Sequence, residues 1–360
     1  MARYKLSISS DEFVCGICKR KIPPETEFYL RGSQDARCKQ CREDLAWRPP
    51  ALTPDLNILG KIAKLKKLDD KVCFLVVHYH CLGNVRKVDS DEVEVEADKS
   101  RISVMKRLLQ SPEYEVIKGF DSMVMKEIDR LALLNADIPG ARIIPIALVE
   151  QAENILQAAA TKRKEVLVPR FVKAYPALKA AAQQPKAKGG LGPLFSEEDY
   201  PPAEQVAHYF SMDWQYLEFS TPGSLGVIAP AVFKDEREKA QKKFQETFAE
   251  IRDTMRLGLL TLVNNLKEAL KPGDDGKAKK LTATAVEKLK GWLELSPFKN
   301  VNNDADLQNI TDELTKLMDG VDREKLAENE GLQERVQKTM ASVAGKLEVM
   351  VKPIRKFRIG

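Results

Sequence analysis

The sequence lacks long apolar runs, a secretion signal and a strong excess of charge of either sign. The stretch Val72–Val77 is far shorter than the roughly 20 apolar residues that a membrane-spanning helix needs. Met1–Ser10 carries Arg3 and Lys5 without the apolar segment that follows such residues in a signal peptide. We therefore expect a cytoplasmic protein with no membrane partner.

Aromatic residues are also scarce. They make up 7% of the chain, whereas charged residues make up 31%, and this balance favours helices over an aromatic-rich β-sandwich. The net charge of +5 permits contact with nucleic acid or an acidic partner without demanding it. A chain of 360 residues is too long for one ordinary core, so two or three domains are expected.

Catalytic patterns are missing as well. His208 has no serine or cysteine nucleophile pattern around it. The glycine-rich stretch Gly189–Gly192 lacks the Lys-Ser/Thr pair that completes a phosphate-binding loop. We therefore expect a protein that is not an enzyme.

Four cysteines do form a recognisable pattern. Cys15 and Cys18 are separated by two residues, as are Cys38 and Cys41, and 19 residues lie between the two pairs. Each pair can bind one edge of a tetrahedral metal site from a tight turn, which is typical of structural zinc. Redox-active cysteines and an iron site are the alternatives. The pattern predicts a Zn²⁺ cofactor in a zinc ribbon over residues 1–50.

Zinc ribbons bind nucleic acid, bind protein, or replace a core too small to fold alone, and the pattern leaves all three roles open. Basic side chains lie beside the cysteines, in the following segment and in the C-terminal tail. Those that we expect to contact nucleic acid or a protein partner are Lys19, Arg20, Arg37, Lys39, Arg42, Lys61, Lys64, Arg355, Lys356 and Arg358.

A second group of metal-capable side chains lies in Val72–Cys81, which is rich in β-branched and aromatic residues and reads as a strand. Strand alternation puts His78 and His80 on one face, and Cys73 and Cys81 on the other. This separation argues against a shared metal site and favours a half-buried strand, in a small sheet or hairpin.

The rest of the chain has helical periodicity. One helix is expected from about Pro145 to Gln183, kinked or split by Pro169 and Pro176, with Arg163 on its exposed side. The clearest helix runs from about Val232 to Leu270, with an apolar stripe that includes Phe248 and Leu259, and pairs with the next helix as an antiparallel hairpin. We expect Phe248 and Leu259 to contact partners.

The predicted fold is mainly α: an elongated helical or coiled-coil body with a small β-hairpin element, preceded by the zinc ribbon. The predicted divisions are the zinc ribbon 1–50, a basic linker or short helix 51–68, a strand or hairpin with long helices 69–188, a Gly/Pro-rich connection with short elements 189–230, a long helical hairpin and bundle 231–352, and a basic tail 353–360.

From about Leu68 to Lys352 the chain resembles an uncharacterised family of phage and prophage proteins. The stretches that carry the resemblance are Phe74–His80 with Gly83 and Arg86-Lys87, Ile143–Pro145, Arg170–Val172 with Tyr175-Pro176, Leu194-Phe195 with Asp199–Pro201, Phe210–Phe219 and the long C-terminal helices. Such proteins are often encoded beside MoxR-type AAA+ ATPases and proteins with von Willebrand A domains. The resemblance implies an accessory of such an ATPase, located in the host cytoplasm.

Two functions are therefore expected. The first is a non-catalytic adaptor or scaffold that docks protein partners, an AAA+ ATPase or a second copy of itself, through its helices. The alternative is a zinc-ribbon protein that binds nucleic acid through the basic ribbon, linker and tail.

Overall fold

The computed structural model describes residues 5–7, 13–15, 21–22, 28–31, 35–38, 47–51, 56–62, 64–65, 69–89, 92–93, 98, 101–135, 140–218, 223–270 and 283–351. Within these residues the strands are β1 Lys5–Ser7, β2 Phe13–Val14, β3 Lys21–Ile22, β4 Phe28–Arg31, β5 Asp35–Cys38, β6 Val72–His80, β7 Val85–Val88, β8 Val104–Arg107, β9 Leu134–Asn135, β10 Ala141–Pro145 and β11 Ser211–Leu217.

Among the helices of the same part of the chain, the longest has 40 residues and follows the strand β11. In order they are α1 Leu56–Ile62, α2 Pro112–Leu131, α3 Val149–Lys162, α4 Val168–Ala182, α5 Gly223–Ile228, α6 Pro230–Ala269, α7 Ala283–Lys299, α8 Ala305–Met318, α9 Arg323–Glu328 and α10 Glu330–Met350. The protein is mainly helical with small antiparallel sheets, as the composition predicts.

A four-stranded antiparallel sheet in the order β11-β6-β10-β9 forms the centre of the molecule. Neighbouring residues of its strands pack on opposite faces: Leu75 and Ile144 join one apolar core, whereas Phe74 and Ile143 join another. Strand alternation explains this division. The sheet therefore lies between two helical layers, one on each face.

The first layer is formed by α2, α3 and α4. Ser111 caps α2 by accepting a hydrogen bond from the amide of Tyr114, and Pro112 occupies the first turn, where a missing amide proton costs nothing. The predicted helix over 145–183 is present as α3 and α4, joined by a π-helical turn at Arg163–Leu167. Pro169 lies in the first turn of α4, so the helical geometry changes next to this proline. Pro176 lies inside α4 and does not split it.

The partner strands of β6 come from distant parts of the chain. A small sheet was expected here, but β7 does not pair with β6. It pairs with β8, which lies in the part of the chain for which helices were predicted. β11 lies in the segment 189–230 and pairs with β6 along its whole length. Trp214 and Tyr216 of β11 both donate to Glu153 of α3, at 2.7 Å and 3.2 Å, and so fix this strand to the helical layer.

The second layer is the bundle of α6 to α10. The predicted helix Val232–Leu270 is confirmed as α6, which has 40 residues and packs against α7 and α10. Phe248 and Leu259 are buried between these helices, so the expectation that they contact partners is wrong: their stripe is used inside the chain. Lys71 donates to the carbonyl of Val301 at 3.2 Å and links the sheet to this bundle.

Residues 47–62 pack onto the first layer. The ring of Trp47 meets Phe120 of α2 edge-on, with 5.5 Å between ring centroids. In α1, Ile58 and Leu59 contact the same core, while Lys61 is exposed. The helix α1 therefore has one apolar face on the core and one face in solvent.

Candidate metal centre and surrounding contacts

The first pair of predicted zinc ligands lies at a connection between two paired strands. β2 pairs with β3 in a register that joins Phe13 to Ile22 and Val14 to Lys21. Cys15 follows β2 directly and is fully buried. Cys18 belongs to the connection between the strands, outside the described residues. A short connection of this kind brings two cysteines to one edge of a metal.

The second pair begins at the end of another strand. Cys38 is the last residue of β5, is half-buried, and lies opposite Phe28 of β4. Its predicted partner Cys41 lies outside the described residues. Because β2 and β5 are in contact, the strand ends that carry Cys15 and Cys38 belong to one small unit. Cysteine thiolates are ligands that structural zinc uses, and the zinc site itself stays a prediction.

The structure assembles no metal-binding group of three or more His, Cys, Asp or Glu side chains within the residues it describes. Two of the four predicted zinc ligands lie beyond that part. Of the predicted basic contacts, Lys61 and Lys64 are exposed and Arg37 lies in β5. The others fall outside the described residues: Lys19, Arg20, Lys39, Arg42, Arg355, Lys356 and Arg358.

The histidines and cysteines of β6 separate as strand alternation predicts. Cys73 and Cys81 contact the helical core, whereas His78 and His80 are exposed on the other face. His80 Nε2 lies 3.7 Å from the carboxylate of Asp213 on β11. These residues form an exposed polar surface.

The least expected cluster surrounds Arg163, which is buried rather than exposed; only 2% of its surface is accessible. Its guanidinium donates from Nε to Asp121 Oδ1 at 3.0 Å, from Nη1 to the carbonyl of Ser211 at 3.0 Å, and from Nη2 to the carbonyl of His80 at 2.9 Å. Cys81 Sγ accepts a further contact from Nη2 at 3.1 Å. One side chain therefore joins α2, the end of β6 and the start of β11.

The cluster around Arg163 is buried, and burial affects the pKa values of its neighbours. Burial raises the pKa of Asp121 to about 6, and Arg163 counteracts this only in part. Burial also raises the pKa of the Cys81 thiol, which does not favour a reactive thiolate. The rings of Tyr79 and Phe210 lie within 6 Å of the guanidinium carbon. Because its donors are directed at protein acceptors, the cluster is suited to holding the fold together.

The sequence analysis did not predict this cluster, although the apolar stripe that leads to Arg163 indicates that its side chain is buried. The buried stripe of α3 includes Ile155 and Ala159, and Arg163 follows Ala159 by four residues on the same face. A basic residue that continues an apolar stripe indicates a buried charge with a carboxylate partner. The partner Asp121 lies 42 residues earlier in the sequence, and no local pattern identifies it.

A second feature that the sequence did not indicate is the exposed first half of α6. From Pro230 to Thr247, none of the residues is buried; burial begins at Phe248. We call residues 230–247 the shaft. The helix α5 packs beside the start of the shaft, where Phe233 faces Gly226.

The end of this projection carries exposed apolar side chains. Val227 and Ile228 are 85% and 81% exposed, and Val232 is 50% exposed. We call these three residues the tip. These aliphatic side chains lie within six residues of each other in the sequence, and exposed apolar groups of this kind favour contact with another molecule.

Comparisons with known proteins gave no match to a family model, to a curated protein or to a solved structure. In the part of the chain with a described structure, none of the helices combines the length and the apolar character needed to cross a bilayer.

Proposed function

We propose that this protein is a non-catalytic, zinc-binding helical adaptor that docks protein partners. The observation that carries the proposal is the projection formed by the tip and the shaft. Its apolar end is directed to solvent, whereas the apolar stripe of the second half of α6 is buried inside the chain. An elongated body with a coiled-coil-like helix suits a docking role, because it presents a partner with a long and regular surface.

The tip is the expected contact point. Burying a fully exposed valine or isoleucine side chain contributes about 1.5–3 kcal/mol to association. Two such residues together contribute a binding free energy typical of an interface hot spot. Their position at the end of a projection lets a partner reach them without displacing any part of the described core.

In this proposal the zinc ion is structural. Four thiolates fill a tetrahedral site and leave no position for a reacting water molecule. Cys15, Cys18, Cys38 and Cys41 would hold it, and its bonds would replace the core that so small a module lacks. Trp47 then fixes the module to α2.

The resemblance to the phage family suggests where to look for the partner. We propose an AAA+ ATPase of the same system as the first candidate, in the cytoplasm of the host cell. The protein would act as its accessory, with no reaction of its own.

The test is a pull-down of the tagged protein from its native cell, with half of each sample treated with nuclease. We compare the wild type with Ile228→Glu and, as a matched control, Val349→Glu; Val349 is 89% exposed on α10. The proposal requires proteins that survive nuclease treatment, are lost from Ile228→Glu and are kept by Val349→Glu. Equal capture by all three chains would refute the docking role of the tip.

The second candidate function is nucleic-acid binding, and one observation favours it. Lys61 and Lys64 are exposed at the segment that follows the cysteine module, so module and linker could present one basic surface to phosphates. Affinity would then fall steeply with salt, because each neutralised phosphate releases counterions. Loss of all captured partners on nuclease treatment would favour this function over the adaptor.

A further inference from the structure

The strand β11 forms one edge of the central sheet. The strand order β11-β6-β10-β9 gives it β6 on one side and, within the described residues, no strand on the other. Its register with β6 is continuous from Ser211 to Leu217, so every second residue directs its backbone N–H and C=O groups away from β6. Outside that pairing, the described residues give its backbone one hydrogen bond, from Arg163 to the carbonyl of Ser211. The rest of this edge is available for pairing.

The edge also lacks the features that normally keep an exposed strand from pairing. Native proteins block such edges with proline, lysine, a bulge or a very short strand. β11 has seven residues with no proline, lysine or arginine, and Asp213 is its one charged residue. Its continuous register contains no bulge. The opposite edge of the sheet, β9, has two residues. A regular, open strand of this length is suited to adding a further strand to the sheet.

The side chains of β11 indicate which strand fits beside it. Its even-numbered residues are half-buried on the side of α3, and its odd-numbered residues are exposed on the other face. If the β11 strands of two copies pair in antiparallel fashion about Trp214, each Asp213 lies directly opposite Gln215 of the other copy. The carboxylate can then accept a hydrogen bond from the amide of Gln215, which has no hydrogen bond to the described residues. On the half-buried side Trp214 meets Trp214, and Met212 meets Tyr216, which are favourable cross-strand pairs.

Other registers of the same two strands fit less well. An axis at Asp213 would place two carboxylates directly opposite each other, which is destabilising. An axis at Gln215 would leave Asp213 opposite Leu217. A shift by one residue would exchange the exposed and the half-buried faces of one copy. The register centred on Trp214 therefore satisfies the one charged side chain of the strand and keeps both faces in place.

We propose that β11 pairs with β11 of a second copy of this chain, antiparallel and about a two-fold axis at Trp214, so that two four-stranded sheets become one continuous sheet. A surface that carries its own complement is the requirement for a symmetric dimer. The pairing forms about six to eight backbone hydrogen bonds. Because one strand pair belongs to the small class of interfaces, we expect a dissociation constant of roughly 1–100 μM. The inference goes beyond the adaptor proposal, which concerns the tip.

The test is sedimentation equilibrium of the full chain from about 1 μM to 1 mM, with two variants of Gln215. Because Gln215 is exposed, both changes should leave the fold intact. Gln215→Lys places a lysine opposite each Asp213 carboxylate of the dimer, and Gln215→Glu places a glutamate there. The lysine variant should dimerise about two- to thirtyfold more tightly than the wild type, and the glutamate variant more weakly by a similar factor.

Matched controls are Gln183→Lys and Gln183→Glu, which make the same charge changes at an exposed position after α4. Both should dimerise like the wild type. Amide hydrogen exchange gives a second measurement: the amides of residues 211–217 should exchange more slowly at the high concentration, because the outward N–H groups gain acceptors.

Three results would each overturn the proposal. They are a wild type that stays monomeric, dimers that respond alike to both Gln215 variants, and exchange in residues 211–217 that does not depend on concentration. The adaptor proposal is judged separately, because Ile228→Glu changes partner capture and leaves β11 intact.

Discussion

Replacing Arg163 with methionine is the sharpest test of how the fold is held together. Methionine is similar in length and keeps the apolar contacts of the arginine stem. It removes the donors to Asp121 and to the carbonyls of His80 and Ser211. The perturbation therefore affects α2, β6 and β11 at once.

The expected loss in the free energy of unfolding follows from the Asp121 carboxyl group, which remains buried after the substitution. Asp121, whose side chain is 11% exposed, would lose its guanidinium partner and would either stay charged in a buried site or take up a proton, and both cost stability at neutral pH. Breaking a buried ion pair from one side costs about 3–5 kcal/mol. This is a large part of the 5–15 kcal/mol by which domains are typically stable. In the double variant with Asp121→Leu the charge is gone, and only the two carbonyls lose donors, so the loss should shrink to about 2 kcal/mol.

The pH dependence gives an independent check. Burial already raises the pKa of Asp121 to about 6, above its ordinary value of 3.8. A carboxyl group whose pKa is higher in the folded state contributes stability at low pH, and this contribution is lost as pH rises from about 4 through 6. Removing Arg163 raises this pKa further. The variant should therefore be less destabilised at pH 5 than at pH 7.5.

The assay is urea unfolding followed by circular dichroism, at both pH values, on the wild type and the variants. Lys164→Met is the matched control, because Lys164 is exposed on the same π-helical turn. A loss of less than 1 kcal/mol in Arg163→Met at pH 7.5 would refute the view that Arg163 holds the three elements together. An equal loss at both pH values would refute the role assigned to Asp121.

Three other predictions follow from single contacts. Lys299→Met should raise the free energy of unfolding at pH 7 by about 2 kcal/mol, because burial and Arg130 lower the pKa of Lys299 to about 8. This gain in stability should fade as pH rises from about 8 to above 10.5. A variant that is less stable than the wild type at pH 7 would contradict the prediction. Cys38→Ser should lose one equivalent of zinc by elemental analysis, and retention of that equivalent would contradict the metal assignment. Trp47→Ala should speed proteolytic cleavage between residues 47 and 62 while α2 stays protected, because the edge-on contact with Phe120 is lost; an unchanged cleavage rate would show that this contact does not hold the segment.

The sequence by itself determined the features that depend on residues close together in the chain, such as helix bounds and the faces of strands. Apolar residues at intervals of three and four predict α6 within a few residues of its observed bounds, because helix geometry repeats every 3.6 residues. Alternation along β6 predicts which side His78 and Cys73 face, because a strand repeats every two residues. The cysteine spacing predicts the zinc site in the same local way, and that site stays a prediction.

Tertiary structure decided the rest, because the contacts concerned join residues far apart in sequence. β6 pairs with β11, more than 100 residues later, and nothing in either strand encodes the other. Arg163 is buried only because Asp121 and two strand ends meet it there. The stripe of α6 is uniform in sequence, yet within the described residues its second half is buried by other helices, whereas no residue of its first half is buried. Periodicity shows that a face is apolar; only the arrangement of the other elements determines whether that face becomes core or remains a surface for partners.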